Sequence, residues 1–386
     1  MKILVTGAKG FIGKNFIATL NNIRTGKDKS FKIGPTITIY EYDKNSDENV
    51  LKAYCADCDF VFHLAGVNRP QNQKEYMEGN FGLTSKLLRF LEESKNRCPI
   101  MLASSVQAEL DNPYGKSKKA GEEIIFSYGK RVGAAVYVYR FPNVFGKWCR
   151  PNYNSAVATF CYNITHGLPI QINDRNTELE LVYIDDLVAE LISVLRGKPS
   201  LQYNGFCSVT KTHRVTLGEI VDLLYSFHKS REERSIPDMT DGSFVKKLYA
   251  SFLSYLPEDQ FSYPLKMNID ERGSFTEIIR TADRGQISVN ISKPGIIKGD
   301  HWHHTKIEKF VVVGGKGLIQ FRKVGTDKIL DYYVNGEKLE VVDIPAGYTH
   351  NIINIGEDNL ITLMWCNECF DPEHPDTYFL EVNEKE

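Results

Sequence analysis

No apolar run in the chain approaches the roughly 20 residues that a bilayer-crossing helix needs, so no membrane association is expected. Neither sign of charge prevails either. Lys plus Arg number 47 against 49 for Asp plus Glu, a net charge of −2, and that balance does not select a nucleic-acid backbone or an anionic lipid surface as the main partner. Low-complexity tracts, internal repeats and a dense cysteine framework are missing too, which excludes collagen-like and disulfide-scaffold readings. The eight cysteines are scattered, as in a reducing compartment. Cys55/Cys58 and Cys366/Cys369 each read C-x-x-C, a zinc pattern if the fold unites the pairs. The apolar stretches beside them, Phe60-Val61-Phe62 and residues 361–365, favour buried small side chains instead. Met1-Lys2-Ile3-Leu4-Val5-Thr6-Gly7 reads as a strand and not as a signal peptide, so a cytoplasmic protein is expected.

What is present is globular: 42% hydrophobic, 25% charged and 11% aromatic residues. At about 100–200 residues per domain, 386 residues predict two domains. Up to about residue 200, apolar runs at 3–5, 37–40, 60–64, 99–103 and 134–139 read as strands. Between them, residues 11–20, 77–91 and 114–128 carry apolar side chains at helical spacing. This alternation predicts an α/β, Rossmann-type doubly wound parallel sheet over residues 1–247. Residues 216–228 and 243–255 read as polar-faced helices that hold the seam, near 245–256. From 256 to 386 short alternating runs such as Ile287-Ser288-Val289-Asn290-Ile291, broken by Gly and Pro, predict an all-β barrel or sandwich.

Gly7-Ala8-Lys9-Gly10-Phe11-Ile12-Gly13 ends a strand and opens a helix, where backbone N–H groups and the helix dipole hold a pyrophosphate. The spacing is G-x-x-G-x-x-G and not the commoner G-x-G-x-x-G. Tyr114 and Lys118 stand four apart on one helix, behind a strand that ends in Ser104-Ser105. A lysine one turn from a tyrosine is expected to lower the phenol pKa from about 10 and make it a usable proton donor or acceptor. The second strand ends Tyr40-Glu41-Tyr42-Asp43-Lys44, with a carboxylate for a ribose diol at Glu41 and, at Lys9 and Lys44, bases for a 2′-phosphate. In the β half, His301, His303, His304 and His350 cluster with Glu308, a donor set that suits Zn²⁺, Fe²⁺, Mn²⁺ or Ni²⁺.

These motifs resemble the extended short-chain dehydrogenase/reductase family: T-G-A-K-G-F-I-G, the H-L-A-G of His63, Leu64, Ala65 and Gly66, Ser104-Ser105, and Y-G-K-S-K. The resemblance implies Tyr114 as the proton donor to the substrate alkoxide, Lys118 on the nicotinamide ribose, and Ser105, favoured over Ser104, on the carbonyl. It implies cofactor contacts at Leu64, Ala65, Gly66, Asn80 and Arg140 beside the glycine loop, with NADPH favoured and NAD the alternative. In the β half, Gly295 to Gly315 and Pro345 to Asn354 resemble the two cupin motifs, with Leu339 where a glycine belongs. That likeness implies a cupin barrel with His301, His303, Glu308 and His350 as ligands, zinc first among the metals. Residues 270–277 and 286–301 also resemble the metal-free 3,5-epimerases of dTDP-4-keto sugars, in which the catalytic base falls on His301, so ligand and base compete there.

End to end, the chain resembles the bifunctional enzymes of bacterial capsule and O-antigen synthesis. This implies a homodimer acting on a UDP-linked 4-keto-6-deoxy amino sugar, the cupin epimerising C3 and the reductase then reducing C4. Two other readings are a C4 reductase with a structural, dimerising metal domain, and an inactive nucleotide-sugar sensor.

Overall fold

Four of the five sequence-predicted strands of the first half carry near-continuous apolar runs because helices cover both sheet faces. In the computed structural model they are Lys2–Thr6 (β1), Thr38–Tyr42 (β2), Phe60–His63 (β3), Ile100–Ser105 (β4) and Val136–Phe141 (β5), all parallel and ordered β2-β1-β3-β4-β5. Side chains alternate between the faces. Ile3 and Val5 join Phe16, Leu187 and Leu191 on one side, while Leu4 and Val61 meet Leu87, Leu91 and Ile125 on the other. Connections leave β1 in opposite directions, toward β2 on one side and β3 on the other, and ligands bind such sheets at the carboxyl ends of the strands where this happens. The glycine loop sits at that point, after β1.

The structure describes residues 1–31, 36–202, 204–239 and 244–384. Two compact units result, residues 1–225 with 243–257 and residues 226–242 with 258–386. A single cut between 247 and 256 therefore differs from the observed division. Residues 226–242 go with the β unit because Arg234 pairs with Glu277 at 2.9 Å and Ser235 bridges Arg280. Ser243, part of the expected second seam helix, lies outside the described residues, and that helix runs Phe244–Leu253. No helix among the described residues is long and apolar enough to cross a membrane.

The β unit is two antiparallel sheets, of six and five strands. Inward side chains from both, including Phe310, Val312 and Leu360 from one and Ile319, Phe321 and Ile352 from the other, make its core.

Candidate active site and metal centre

In the first unit the helix Phe11–Arg24 starts at Gly10, whose N-cap position carries no side-chain hydrogen bond, and has no acid in its first turn. Its first N–H groups are therefore left for an anion. Gly7 holds φ +69°, and a Cβ there would stand 2.8 Å from Ala65 backbone atoms, so only glycine brings the loop this close to the end of β3. The helix Pro113–Val132 is capped by Asn112, which accepts from Gly115 N at 2.8 Å, with proline in its first turn. That cap aims Tyr114 and Lys118 at the same place.

A cleft of about 470 Å³ joins these parts. Gly7, Lys9, Gly10, Phe11, Ile12 and Gly13 line one wall, with Leu64 and Gly66; Ser105, Tyr114 and Lys118 line the other. Ser104 reaches the same wall, but its hydroxyl is 2.5 Å from Glu122 Oε1. Ser105 Oγ accepts the Gln107 N–H at 3.1 Å and lies beside the Tyr114 hydroxyl, so these two hydroxyls are placed together to meet a carbonyl. Lys118 is buried, donates to Ala103 O at 3.1 Å, and its Nζ lies 5.9 Å from the centre of the Tyr114 ring. Burial drops its pKa to about 8, against the opposing pull of Glu122. The expected lowering of the Tyr114 pKa is not found. Burial raises it, with the Ser105 hydroxyl working the other way, so the phenol stays protonated at neutral pH.

The other candidate cofactor residues fall outside the cleft lining. Asn80 is buried within a π-helical turn, Met77–Gly82, that interrupts the expected helix over 77–91. It clamps Val67 N and O at 2.9 and 3.1 Å and donates to Ser117 Oγ at 2.9 Å. A Cβ on Gly66 would meet both Asn80 Oδ1 and Lys118 Nζ at 2.9 Å, so Asn80 packs the loop that holds Lys118. Arg140 grips buried Glu122 through two nitrogens, at 2.9 and 2.7 Å, and Glu109 at 2.7 Å. Ala65 N donates to Thr6 Oγ1 at 3.3 Å. Glu41 and Lys44 are exposed at the end of β2, where Asp43 accepts the N–H groups of Lys9 and Lys44 at 2.9 and 2.8 Å. A second cleft of about 690 Å³ shares Tyr114 and carries Arg69, Gln73 and Asn154; residue spacing gave no sign of it. The phosphate-ready loop and the Tyr, Lys and Ser set fit a nicotinamide dinucleotide.

In the β unit, His301 is the last residue but one of the strand Ile297–Trp302, Glu308 opens Glu308–Gly314, and His350 lies in Tyr348–Asn354. Gly299 and Asp300 hold φ +113° and +55°. The register shift there seats His301 opposite His350, a bulge re-aiming a side chain. One ligand atom from each of His301, His303, Glu308 and His350 lies within 4.8 Å of the others. His303 Nε2 and His350 Nε2 stand 3.4 and 3.2 Å from Glu308 Oε2, yet none of the three atoms completes a hydrogen bond among the described residues. His303 Nδ1 is 2.5 Å from Asp376 O, which makes it the donor and leaves Nε2 its lone pair.

Burial takes the His301 pKa down to about 4, with His350 adding to the fall. Glu308 is opposed by burial, but His303 and His350 overcome it and keep the carboxylate ionised. Two imidazole nitrogens converging on one carboxylate oxygen, with no hydrogen bond completed among the described residues, fit a divalent metal. His304 is not in the cluster; it meets Trp302 and Tyr378 edge-on, with ring centres 4.5 and 5.1 Å away. Cys55 and Cys58 belong to the first unit, Cys366 and Cys369 to the second, and no cysteine joins the metal-type cluster found among the described residues. All eight are free, seven buried and Cys369 half-buried. A cavity of about 490 Å³ opens onto His301, His303 and Glu308 and is edged by Arg234, Lys266, Arg280 and Lys306. Arg272 instead pairs with Asp270 at 2.7 Å on the surface, while Glu277 holds Arg234 and Arg280.

Comparison with known proteins matches residues 3–204 to the NAD dependent epimerase/dehydratase family. The chain belongs to that family. Residues 268–378 of this epimerase/dehydratase-family chain match the polysaccharide biosynthesis C-terminal domain. It is 43% identical over 384 residues to UDP-2-acetamido-2,6-beta-L-arabino-hexul-4-ose reductase of Pseudomonas aeruginosa, covering all of both chains. Among solved structures it is similar to the capsular polysaccharide assembling protein CapF of Staphylococcus aureus, at 54% identity and TM-score 0.90, covering 99% of this chain and all of that one. A structure of CapF with the inhibitor 3-isopropenyl-tropolone matches at 50% identity and TM-score 0.86, with the same coverage. The likeness to capsule enzymes expected from the sequence is thus found along the whole chain.

Proposed function

We propose that the chain is a UDP-sugar reductase acting at C4 of a UDP-2-acetamido-2,6-dideoxy-4-keto sugar, and that its β unit, a cupin, first epimerises C3. The reductase reading is carried by the convergence of Ser105, Tyr114 and Lys118 on the cleft of the glycine loop, together with the reductase relative. A bound dinucleotide supplies the hydride. Ser105 holds the C4 carbonyl, and Tyr114, protonated at neutral pH, hands its proton to the C4 oxygen as charge develops there. Lys118 orients the cofactor ribose and replenishes that proton. NADPH is favoured over NAD because Asp43 is spent on the Lys9 and Lys44 N–H groups, leaving two ammonium groups for a 2′-phosphate.

The epimerase reading is supported by the cavity that joins the metal-type cluster to four cationic side chains. A divalent metal, zinc first, supplies charge stabilisation there when bound. The C4 carbonyl acidifies C3, and Lys266 and Lys306, beside Arg234 and Arg280 that Glu277 already holds, suit a diphosphate and a developing enolate oxygen. Reduction removes that carbonyl, so epimerisation comes first. The tropolone bound by CapF adds support, since tropolones chelate divalent metals through adjacent oxygens. A homodimer in the cytoplasm is part of the same reading.

One observation favours a second reading. Four protein ligands close a tetrahedral zinc site, and closed sites are commonly structural; the β unit would then only stabilise a C4 reductase. Incubating the protein with the UDP-4-keto sugar in D₂O without NADPH separates them. Deuterium at C3 by NMR establishes the epimerase. Its absence, with NADPH still consumed when added, leaves the reductase alone.

A further inference from the structure

The stretch His301-Trp302-His303 is gripped from both sides by the C-terminal segment. On one side, Asp300 O accepts Leu380 N at 2.9 Å, and Asp300 Oδ1 accepts Val382 N at 3.1 Å and Asn351 Nδ2 at 2.9 Å. On the other, the Asp376 carboxylate accepts three consecutive backbone N–H groups, those of His304, Thr305 and Lys306, each at 2.9 Å, and the Thr305 hydroxyl at 3.2 Å. Consecutive N–H groups curled around one anion are a strong, charge-assisted arrangement. The carbonyl of the same residue is the acceptor at His303 Nδ1, and Asp376 holds φ +37° to offer both groups at once. A left-handed backbone at a non-glycine residue persists where surrounding contacts over-determine it.

We propose that Asp376 is a positioning residue of the metal centre, and that docking of segment 376–382 and metal binding are one coupled event. This rests on the metal reading of the cluster. Asp376 fixes the loop that carries His303 and selects the tautomer in which Nε2 is the ligand. Supporting groups of this kind typically weaken metal binding about 10–100-fold when changed. Reciprocity requires that the metal, in turn, tightens the segment.

The test uses full-length protein stripped of metal and titrated with Co²⁺ or Zn²⁺ alone against a chromophoric chelator, for wild type, Asp376→Asn and His303→Ala. Hydrogen exchange at 304–306 and 376–382 is followed with and without metal, and the metal-free melting temperature is recorded. Expected are binding by wild type that His303→Ala abolishes, a 10–100-fold weaker affinity and an altered Co²⁺ spectrum in Asp376→Asn, and metal-induced exchange protection lost in that variant. An affinity within twofold of wild type overturns the proposal. So does a loss of affinity matched by an equal loss of stability in the metal-free protein, which is what a merely structural role gives. Failure of wild type to bind either ion, or binding that His303→Ala leaves intact, refutes the metal reading itself.

Discussion

Replacing Lys118 with methionine is expected to make the cofactor-free protein more stable while abolishing its reductase activity. The ammonium is buried, and its pKa falls from 10.5 to about 8 with burial as the main cause. At 1.36 kcal/mol per tenfold change in proton affinity, holding this charge inside the fold costs about 3 kcal/mol. Methionine keeps the aliphatic stem and removes the charge, but forfeits the bond to Ala103 O, worth about 1 kcal/mol. The net gain is about 2 kcal/mol, or about 4–8 °C in Tm for a unit of this size. The pH dependence has a definite sign. Below pH 8 lysine is charged in both states and the penalty is complete; between about 8 and 10.5 the unfolded chain binds the proton that the folded one has lost, so wild-type stability rises with pH. Calorimetry of the N-terminal unit at pH 7 and pH 10 should find the variant ahead at the lower pH and the difference shrinking at the higher. A variant less stable than wild type at pH 7, or a pH-independent difference, refutes the reasoning.

Tyr114→Phe is expected to lower NADPH oxidation by about 10²–10⁴-fold and leave C3 exchange intact; loss of both activities breaks the division of labour between the units. Ser105→Ala should cost about 10²-fold in kcat, whereas Ser104→Ala should keep its activity and lose about 1–2 kcal/mol of stability, because the Ser104 hydroxyl is spent on Glu122. Urea denaturation beside steady-state kinetics separates the two. Glu122→Gln takes from Arg140 the buried one of its two carboxylate partners while Glu109 remains, a loss of about 1.5–3 kcal/mol, read in the same denaturation assay.

The parts of both sites that follow from residue type and spacing were legible in the sequence: the glycine loop after β1, the tyrosine and lysine one helical turn apart, and the histidines around a β turn. Each rests on a local period that tertiary contacts do not override. What escaped depends on long-range partners. Arg140 sits close to the cleft in sequence terms, yet its guanidinium is drawn to Glu122, 18 residues earlier. The π turn at Asn80 exists because Val67 and Ser117 claim its amide, and no helical periodicity carries that information. Residues 226–233 continue the helix Leu217–Glu233, but Arg234, just beyond it, is tied to the β unit through Glu277. Asp376, 73 residues from His303, has no motif around it that announces a role.

The metal-type cluster also constrains how its function can be established. His303 Nε2, His350 Nε2 and Glu308 Oε2 are buried and make no hydrogen bond among the described residues. Each imidazole stands within 3.4 Å of the carboxylate, which offsets part of the cost of burying the three atoms, and what is not offset draws on the roughly 5–15 kcal/mol that separates a folded domain from its unfolded chain. An ion that satisfies them stabilises the β unit whatever chemistry it also performs. Replacing a ligand then removes stability and any catalysis together, so ligand variants cannot tell a structural metal from a catalytic one. Proton exchange at C3 in the intact, metal-loaded protein varies only with the chemistry, and the choice between the two readings of the β unit therefore belongs to that experiment and not to mutagenesis of the cluster.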